Sequence, residues 1–155
     1  PARQMKPDFV SLDEMLTTMV ADMGLPRGVV TLDLAEDLPK VYCDARQVEQ
    51  VFNNLVKNAW EALVVQPAPH ITVKARRDKH SDHVLVAVSD NGPGIPPEIQ
   101  ERVWMSFFTT KGDRGGTGLG LSACMQIVTQ NRGQIWLESE VGNGATFFVR
   151  LPTKP

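Results

Sequence analysis

The sequence predicts an α/β fold: a two-layer sandwich with a mixed sheet of about five strands and three helices on one face. Three observations lead there. Apolar stripes of helical period and alternating strand-like runs are intermixed along a single chain. They do not follow strict β-α-β alternation, so an all-parallel sheet is excluded. The last two strand runs are joined by the short turn Val141-Gly142-Asn143-Gly144, which makes them an antiparallel hairpin.

The elements follow in order. Pro1 to Pro7 is polar and proline-flanked and reads as a linker tail, with the folded domain spanning 8–155. Phe9 and Val10 form a short strand. Ser11-Leu12-Asp13-Glu14 is a capping box, and Leu12, Met15, Leu16, Met19, Val20 and Met23 form a helical stripe ended by Gly24. Val30, Leu32 and Leu34 alternate with polar residues as a half-buried strand, and Val41 with Tyr42 makes another. Asp44, with Gln47 three residues on, caps a long second helix. On it Val48, Val51, Phe52, Leu55, Ala59, Ala62 and Leu63 fall within about 60° of one line, and Asn54, Asn58 and Glu61 form a separate polar stripe. Ile71, Val73 and Ala75 mark a strand, and the unbroken apolar run Val84–Val88 reads as a strand covered on both faces. A glycine- and proline-rich loop region follows, with one helical turn near Glu98–Trp104. A third long helix starts near Gly118 and ends with Gly133 as its left-handed C′ residue. Strands Gln134–Glu138 and Thr146–Leu151 close the chain.

Composition narrows the function. The 155 residues suit one domain; 42% are hydrophobic and 22% charged, as in an ordinary globular protein. The 16 basic and 18 acidic residues leave a charge of −2, with no basic footprint for nucleic acid and no polybasic run for direct membrane contact. Cys43 and Cys124 are far apart, which excludes a disulfide scaffold and makes a reducing, cytoplasmic setting the expectation. A start at Pro1 rather than at methionine points to a fragment or a processed product.

Four motifs call for a chemical reading. Asn54-Leu55-Val56-Lys57-Asn58-Ala59 sets two carboxamides one helical turn apart, offering oxygens to a hard cation and N–H groups to phosphate, or else a solvated helix face. Asp90-Asn91-Gly92-Pro93-Gly94-Ile95-Pro96 puts a carboxylate at the end of an apolar strand, with glycines that admit a flat ligand or merely make a tight turn. Phe107-Phe108-Thr109-Thr110-Lys111 sets paired aromatics in a polar loop, as the docking end of a lid or a small satellite core. Gly115-Gly116-Thr117-Gly118-Leu119-Gly120-Leu121-Ser122 leads glycine-rich backbone into a helix start, where free N–H groups favour phosphate. It is neither a Walker loop nor a GxGxxG turn after a strand.

In this order the four motifs resemble the catalytic ATP-binding domain of sensor histidine kinases, in the superfamily of gyrase, Hsp90, histidine kinases and MutL. Asn54–Ala59 resembles the asparagine box, and Asp90-x-Gly92-x-Gly94 the first glycine box. Phe107–Lys111 resembles the phenylalanine box, and Gly116–Gly120 the second glycine box. The likeness runs from about Phe9 to Leu151. It implies a Bergerat-type sandwich with an ATP lid, binding ATP and Mg²⁺. By that resemblance Asp90 accepts the adenine amine, Gly92, Gly94 and Ile95 line the base pocket, and Thr146 binds a water beside the adenine. Asn58 is the metal ligand, while Asn54 and Lys57 face the phosphates and share catalysis with Lys111. Phe108, Thr109, Thr110, Lys111 and Arg114 belong to the lid, and Gly116, Thr117, Gly118, Leu119 and Gly120 cradle the phosphates.

The implied activity is transfer of the γ-phosphoryl group to a histidine on an upstream dimerisation domain, and onward to a response regulator. Departures from the family pattern are Ser106 in place of a proline before the paired phenylalanines, and a short lid between Lys111 and Gly116. No histidine box is present: His70, His80 and His83 lack a following acidic residue, so the acceptor histidine is expected upstream. The parent is expected in the cytoplasm, with or without a membrane anchor elsewhere. A gyrase- or Hsp90-type ATPase usually has a glutamate base where this chain has Asn54. An anti-sigma-factor-type serine kinase has similar boxes and is the closer alternative.

Overall fold

The structure, a computed structural model, describes residues 4–105 and 120–155. Its main sheet has five strands, β2 (Val30–Leu34), β4 (Ile71–Arg77), β5 (His83–Asp90), β6 (Gln134–Ser139) and β7 (Ala145–Pro152), in the order β2-β4-β5-β7-β6. β2 and β4 are parallel and every other pair is antiparallel, so the sheet is mixed. β1 (Asp8–Val10) and β3 (Val41–Cys43) form a separate antiparallel pair.

Three long helices, α1 (Leu12–Asp22), α2 (Ala45–Ala62) and α4 (Leu121–Gln130), supply the helical layer. A one-turn helix α3 (Pro97–Gln100) and a 3₁₀ turn (Arg102–Trp104) occupy the loop after β5, where the sequence indicates a helical turn. The core lies between these layers. Leu12, Leu16 and Met19 of α1, Val48, Val51, Phe52 and Leu55 of α2, and Cys124 and Val128 of α4 meet Val73, Val86, Val88 and Val149 of the sheet.

Local chemistry accounts for the helix starts. Ser11 Oγ accepts from the Glu14 N–H, and Asp44 Oδ1 accepts from the N–H groups of Arg46 and Gln47. Asp44 is buried and also ties other elements together: Oδ2 accepts from the Lys6 N–H at 2.9 Å, while its own N–H donates to Asn131 Oδ1 at 2.8 Å.

Four element details differ from the sequence reading. The buried surface of α2 is wider than the apolar stripe, taking in Val56 and Asn54, because α2 packs on α1 and α4 as well as on the sheet. Ala62, assigned to that stripe, is exposed at the helix end, while Leu63, assigned with it, is buried. β5 is buried on one face only: Val84, Val86 and Val88 face the core, while Leu85 and Ala87 are half-buried on the outer face. Among the described residues no helix covers the outer face, and cross-strand neighbours such as Phe148 and Arg150 shield those side chains.

The end of α4 is the fourth. The left-handed residue there is Arg132 (φ +61°), not Gly133. Gly133 N–H reaches Val128 O at 2.8 Å and Arg132 N–H reaches Thr129 O at 3.0 Å, a Schellman motif with Arg132 at C′. Gly133 is needed for room, since a Cβ there would collide with the Arg150 carbonyl oxygen and crowd Val128 Cγ1 at 3.0 Å.

Candidate functional site

β5 ends at Asp90, which continues the inward parity of Val84, Val86 and Val88 and is half-buried. One carboxylate oxygen accepts the Gly92 N–H at 2.8 Å. Burial pushes the carboxyl above its ordinary value, and N–H groups of Gly92 and Ala145 partly offset this. A carboxylate held at a strand end in that way is a strong acceptor waiting for a donor.

The turn after it is rigidly placed. Asn91 exchanges backbone and side-chain bonds with His70, and its Nδ2 donates to Ala68 O at 2.8 Å. Gln66 Nε2 donates to Asn91 O at 2.7 Å. A Cβ on Gly92 would lie 2.9 Å from Asp90 Oδ1 and 3.3 Å from Leu63 Cδ2, so a side chain here would push the carboxylate off the Gly92 N–H that holds it. Gly94 has φ +81°, and a Cβ there would strike the Glu140 carbonyl oxygen. Ile95 N–H donates to Ser139 Oγ at 2.8 Å, and that hydroxyl donates to Gly144 O at 2.7 Å. Gln100 Nε2 bonds both Ile95 O and Ser139 O. The β6–β7 hairpin thus clamps the Asp90 turn from one side, with α2 on the other.

α2 runs back from this turn. The Ala62 carbonyl borders Gly92, so Asn58 and Asn54 stand roughly 6 and 12 Å back along the helix axis at 1.5 Å per residue. Lys57, Asn58 and Glu61 are half-buried, and each is engaged by a neighbour. Asn54 is buried, and its Nδ2 donates to Cys124 Sγ at 3.3 Å. Cys124 is in the first turn of α4, whose N-cap is Gly120, with no capping side chain. The site is therefore elongated: a half-buried carboxylate at one end, a carboxamide stripe along the middle, and a helix N-terminus beside the far carboxamide.

Thr146 is placed apart from Asp90. Its hydroxyl is 2.9 Å from Ser89 Oγ, its register partner on the outward parity of the sheet. The β7 residue on the Asp90 side is Ala145, through its backbone N–H. Phe108, Thr109, Thr110, Lys111, Arg114, Gly116, Thr117, Gly118 and Leu119, with Phe107 and Ser106, lie outside the described residues. Among the described residues no group of three or more His, Cys, Asp or Glu side chains is arranged to hold a metal, and no helix is long and apolar enough to cross a membrane.

Sequence reasoning passed over Asn91, Gln100, Ser139 and Cys124. Each acts through a contact distant in the chain, and the nearest sequence signal was the Asn-Gly step at Asn91.

A mixed sheet with one helical face, a strand-end carboxylate and an asparagine-bearing helix define a domain of the two-layer α/β class. The chain belongs to the family of histidine kinase-, DNA gyrase B- and HSP90-like ATPases, whose model matches residues 43–155. It is 34% identical over 158 residues to Sporulation kinase E of Bacillus subtilis (strain 168), covering 96% of this chain and 21% of that protein. Among solved structures, the catalytic domain of histidine kinase ThkA superposes with TM-score 0.78 at 32% identity, covering 97% of this chain and 100% of that one. Histidine kinase ThkA in complex with response regulator protein TrrA matches with TM-score 0.74 at 30% identity, over 96% of this chain and 42% of that one. The chain thus spans about a fifth of the length of Sporulation kinase E and all of the ThkA catalytic domain.

Proposed function

We propose that this chain is the ATP-binding catalytic module of a cytoplasmic sensor histidine kinase, donating the γ-phosphoryl group to a histidine on an upstream dimerisation domain. The observation that carries it is the elongated site, with the inward Asp90 carboxylate at one end and the start of α4 at the other. Asp90 accepts the adenine amine, and Gly92, Gly94 and Ile95 line the base. Thr146, bonded outward to Ser89, acts on the base side only through the strand that carries it. The neighbouring Ala145 N–H holds the carboxylate from β7.

The phosphates run along α2 toward α4. Asn54 and Lys57 meet them from the helix, Gly120 and the preceding Gly116, Thr117, Gly118 and Leu119 offer backbone N–H groups, and Lys111 and Arg114 add cations. Phe108, Thr109 and Thr110 belong to the lid that carries those cations. Asn58 is the residue that would hold Mg²⁺, through its carboxamide oxygen. A carboxamide oxygen is a hard, neutral donor of the kind Mg²⁺ accepts beside phosphate oxygens. When bound, Mg²⁺ neutralises charge that develops on the phosphoryl oxygens. The protein's contribution is to hold the triphosphate in line and to keep the base end dry.

The response regulator is the onward acceptor. The ThkA–TrrA structure supports this through a relative whose matched part has the same fold. Residues 1–7 connect to the dimerisation domain.

Calorimetry with ATP tests the site. Asp90→Ala leaves the amine without its half-buried acceptor and is expected to cost about 1–3 kcal/mol, about 5- to 150-fold in affinity. Unchanged affinity would move the base elsewhere. Asn58→Ala is expected to weaken ATP binding more in Mg²⁺ than in EDTA; equal losses would remove it as a metal ligand. Acid-labile, base-stable label on an added histidine-bearing helical segment separates this reading from a serine kinase, whose product label is acid-stable.

A further inference from the structure

We propose that Cys124 is a positioning residue for Asn54, its sulfur fixing which end of that carboxamide faces the phosphate end of the site; this rests on the nucleotide reading above. A carboxamide fits its space in two orientations that differ only in exchanging a donor for an acceptor. Here Asn54 Nδ2 donates to Cys124 Sγ at 3.3 Å, which leaves Oδ1, an acceptor, as the end available to a cation that accompanies the phosphates. Both partners are buried, Asn54 at 7% exposure and Cys124 at 0%, so water does not compete for the amide. In the reverse orientation Oδ1 would face the sulfur with only the weak S–H as donor, and the N–H groups would turn to the site in its place.

The sulfur acts as a neutral thiol, since burial pushes Cys124 up to about 11. Its place in the fold makes the contact more than local. Cys124 N–H bonds back to Gly120 O at 3.2 Å, so the thiol belongs to the turn that directly follows the glycine run. Asn54 is on α2, 70 residues away in the chain. The bond therefore sets the orientation of an α2 carboxamide by the seat of the α4 N-terminus, and the two phosphate-facing elements are aligned through it. Sequence spacing alone never pairs these residues.

The test compares Cys124→Ser, which keeps an acceptor, with Cys124→Val, which fills the space without one. ATP affinity measured in Mg²⁺ is expected to stay within about twofold for Cys124→Ser and to fall about three- to tenfold for Cys124→Val, the range of one neutral hydrogen bond. In an Asn54→Ala background Cys124→Val is expected to cost nothing further, because the thiol acts through that amide. A full loss repeated in that background, or no loss in Cys124→Val, overturns the proposal. Nitrogen-15 spectra give a readout independent of nucleotide. The Asn54 side-chain amide protons are expected to exchange with water at least threefold faster in Cys124→Val than in the unmodified chain or in Cys124→Ser. Equal exchange in all three overturns the positioning role. An unmodified chain that binds no ATP while these exchange rates differ would overturn the nucleotide reading and not the positioning.

Discussion

Asp90 is held where it costs stability. Its carboxyl lies above the ordinary value because burial penalises the charge more than the Gly92 and Ala145 N–H groups repay it. A raised folded-state value in an acid stabilises the fold only below the unfolded pKa, and that gain is lost as pH rises through the folded value. At neutral pH the ionised group is therefore a liability that binding of a donor relieves. Asp90→Asn is expected to raise the melting temperature at pH 7 while weakening ATP binding, and its thermal advantage is expected to vanish near pH 3. Melting curves at the two pH values check this; a gain that grows as pH falls would contradict it. Arg132 is a second strained position, with φ +61° on a side chain. Arg132→Gly is expected to stabilise by about 1 kcal/mol, read from urea unfolding.

The clearest device at the level of elements is the junction at Asp44. One buried carboxylate caps α2, receives the Lys6 N–H from the N-terminal segment, and is followed by the backbone link to Asn131 at the end of α4. Asn131 Nδ2 in turn donates to Gln47 Oε1 and Ile127 O, so α2 and α4 are pinned at the ends far from Asp90 as well. Asp44→Ala removes the cap and strips several N–H groups of their acceptor, and is expected to cost about 2–4 kcal/mol. Asp44→Asn keeps an acceptor oxygen and the cap, and is expected to recover at least half of the loss. Denaturant midpoints of the two variants decide it. The β6–β7 hairpin is the corresponding device at the site end. Gly144 has φ +77°, and a Cβ there would strike the Asp90 carbonyl oxygen. Gly144→Ala is expected to lower ATP affinity at least tenfold, since the clamp and the Asp90 turn must part.

Over the whole molecule the histidines bear on where phosphate goes. His83 begins β5 and Asp90 ends it, so at about 3.3 Å per residue His83 stands roughly 23 Å from Asp90 along the strand. His80 is exposed in the hairpin beyond it. His70, distant from the boxes in sequence, is next to Asn91 in space, but its ring turns outward to Thr31 Oγ1 at 3.2 Å. The chain is accordingly expected to bind ATP and not to label itself with radioactive γ-phosphate. Stoichiometric label on the purified chain would place the acceptor within it. Supplying the helical histidine segment of the parent is expected to produce label, because in-line positioning supplies most of the catalysis.

Period and capping chemistry are local, and what depends on them was legible in the residues. The α1 stripe from Leu12 to Met23, the caps at Ser11 and Asp44, and the closing hairpin all stand where their spacing puts them. The strand-end position of Asp90 and the carboxamide stripe of α2 were legible for the same reason. What only the tertiary structure decided depends on partners far along the chain. The one-sided burial of β5, the outward pairing of Thr146 with Ser89, and the seat of Asn54 on Cys124 follow from which layers meet. Sheet order and helix contact bring such residues together, and a one-residue change of parity sends a side chain to the opposite face. The residues along the chain thus determined which groups could serve a nucleotide, and the packing of α2 between α1, α4 and the sheet decided which of them face the same space.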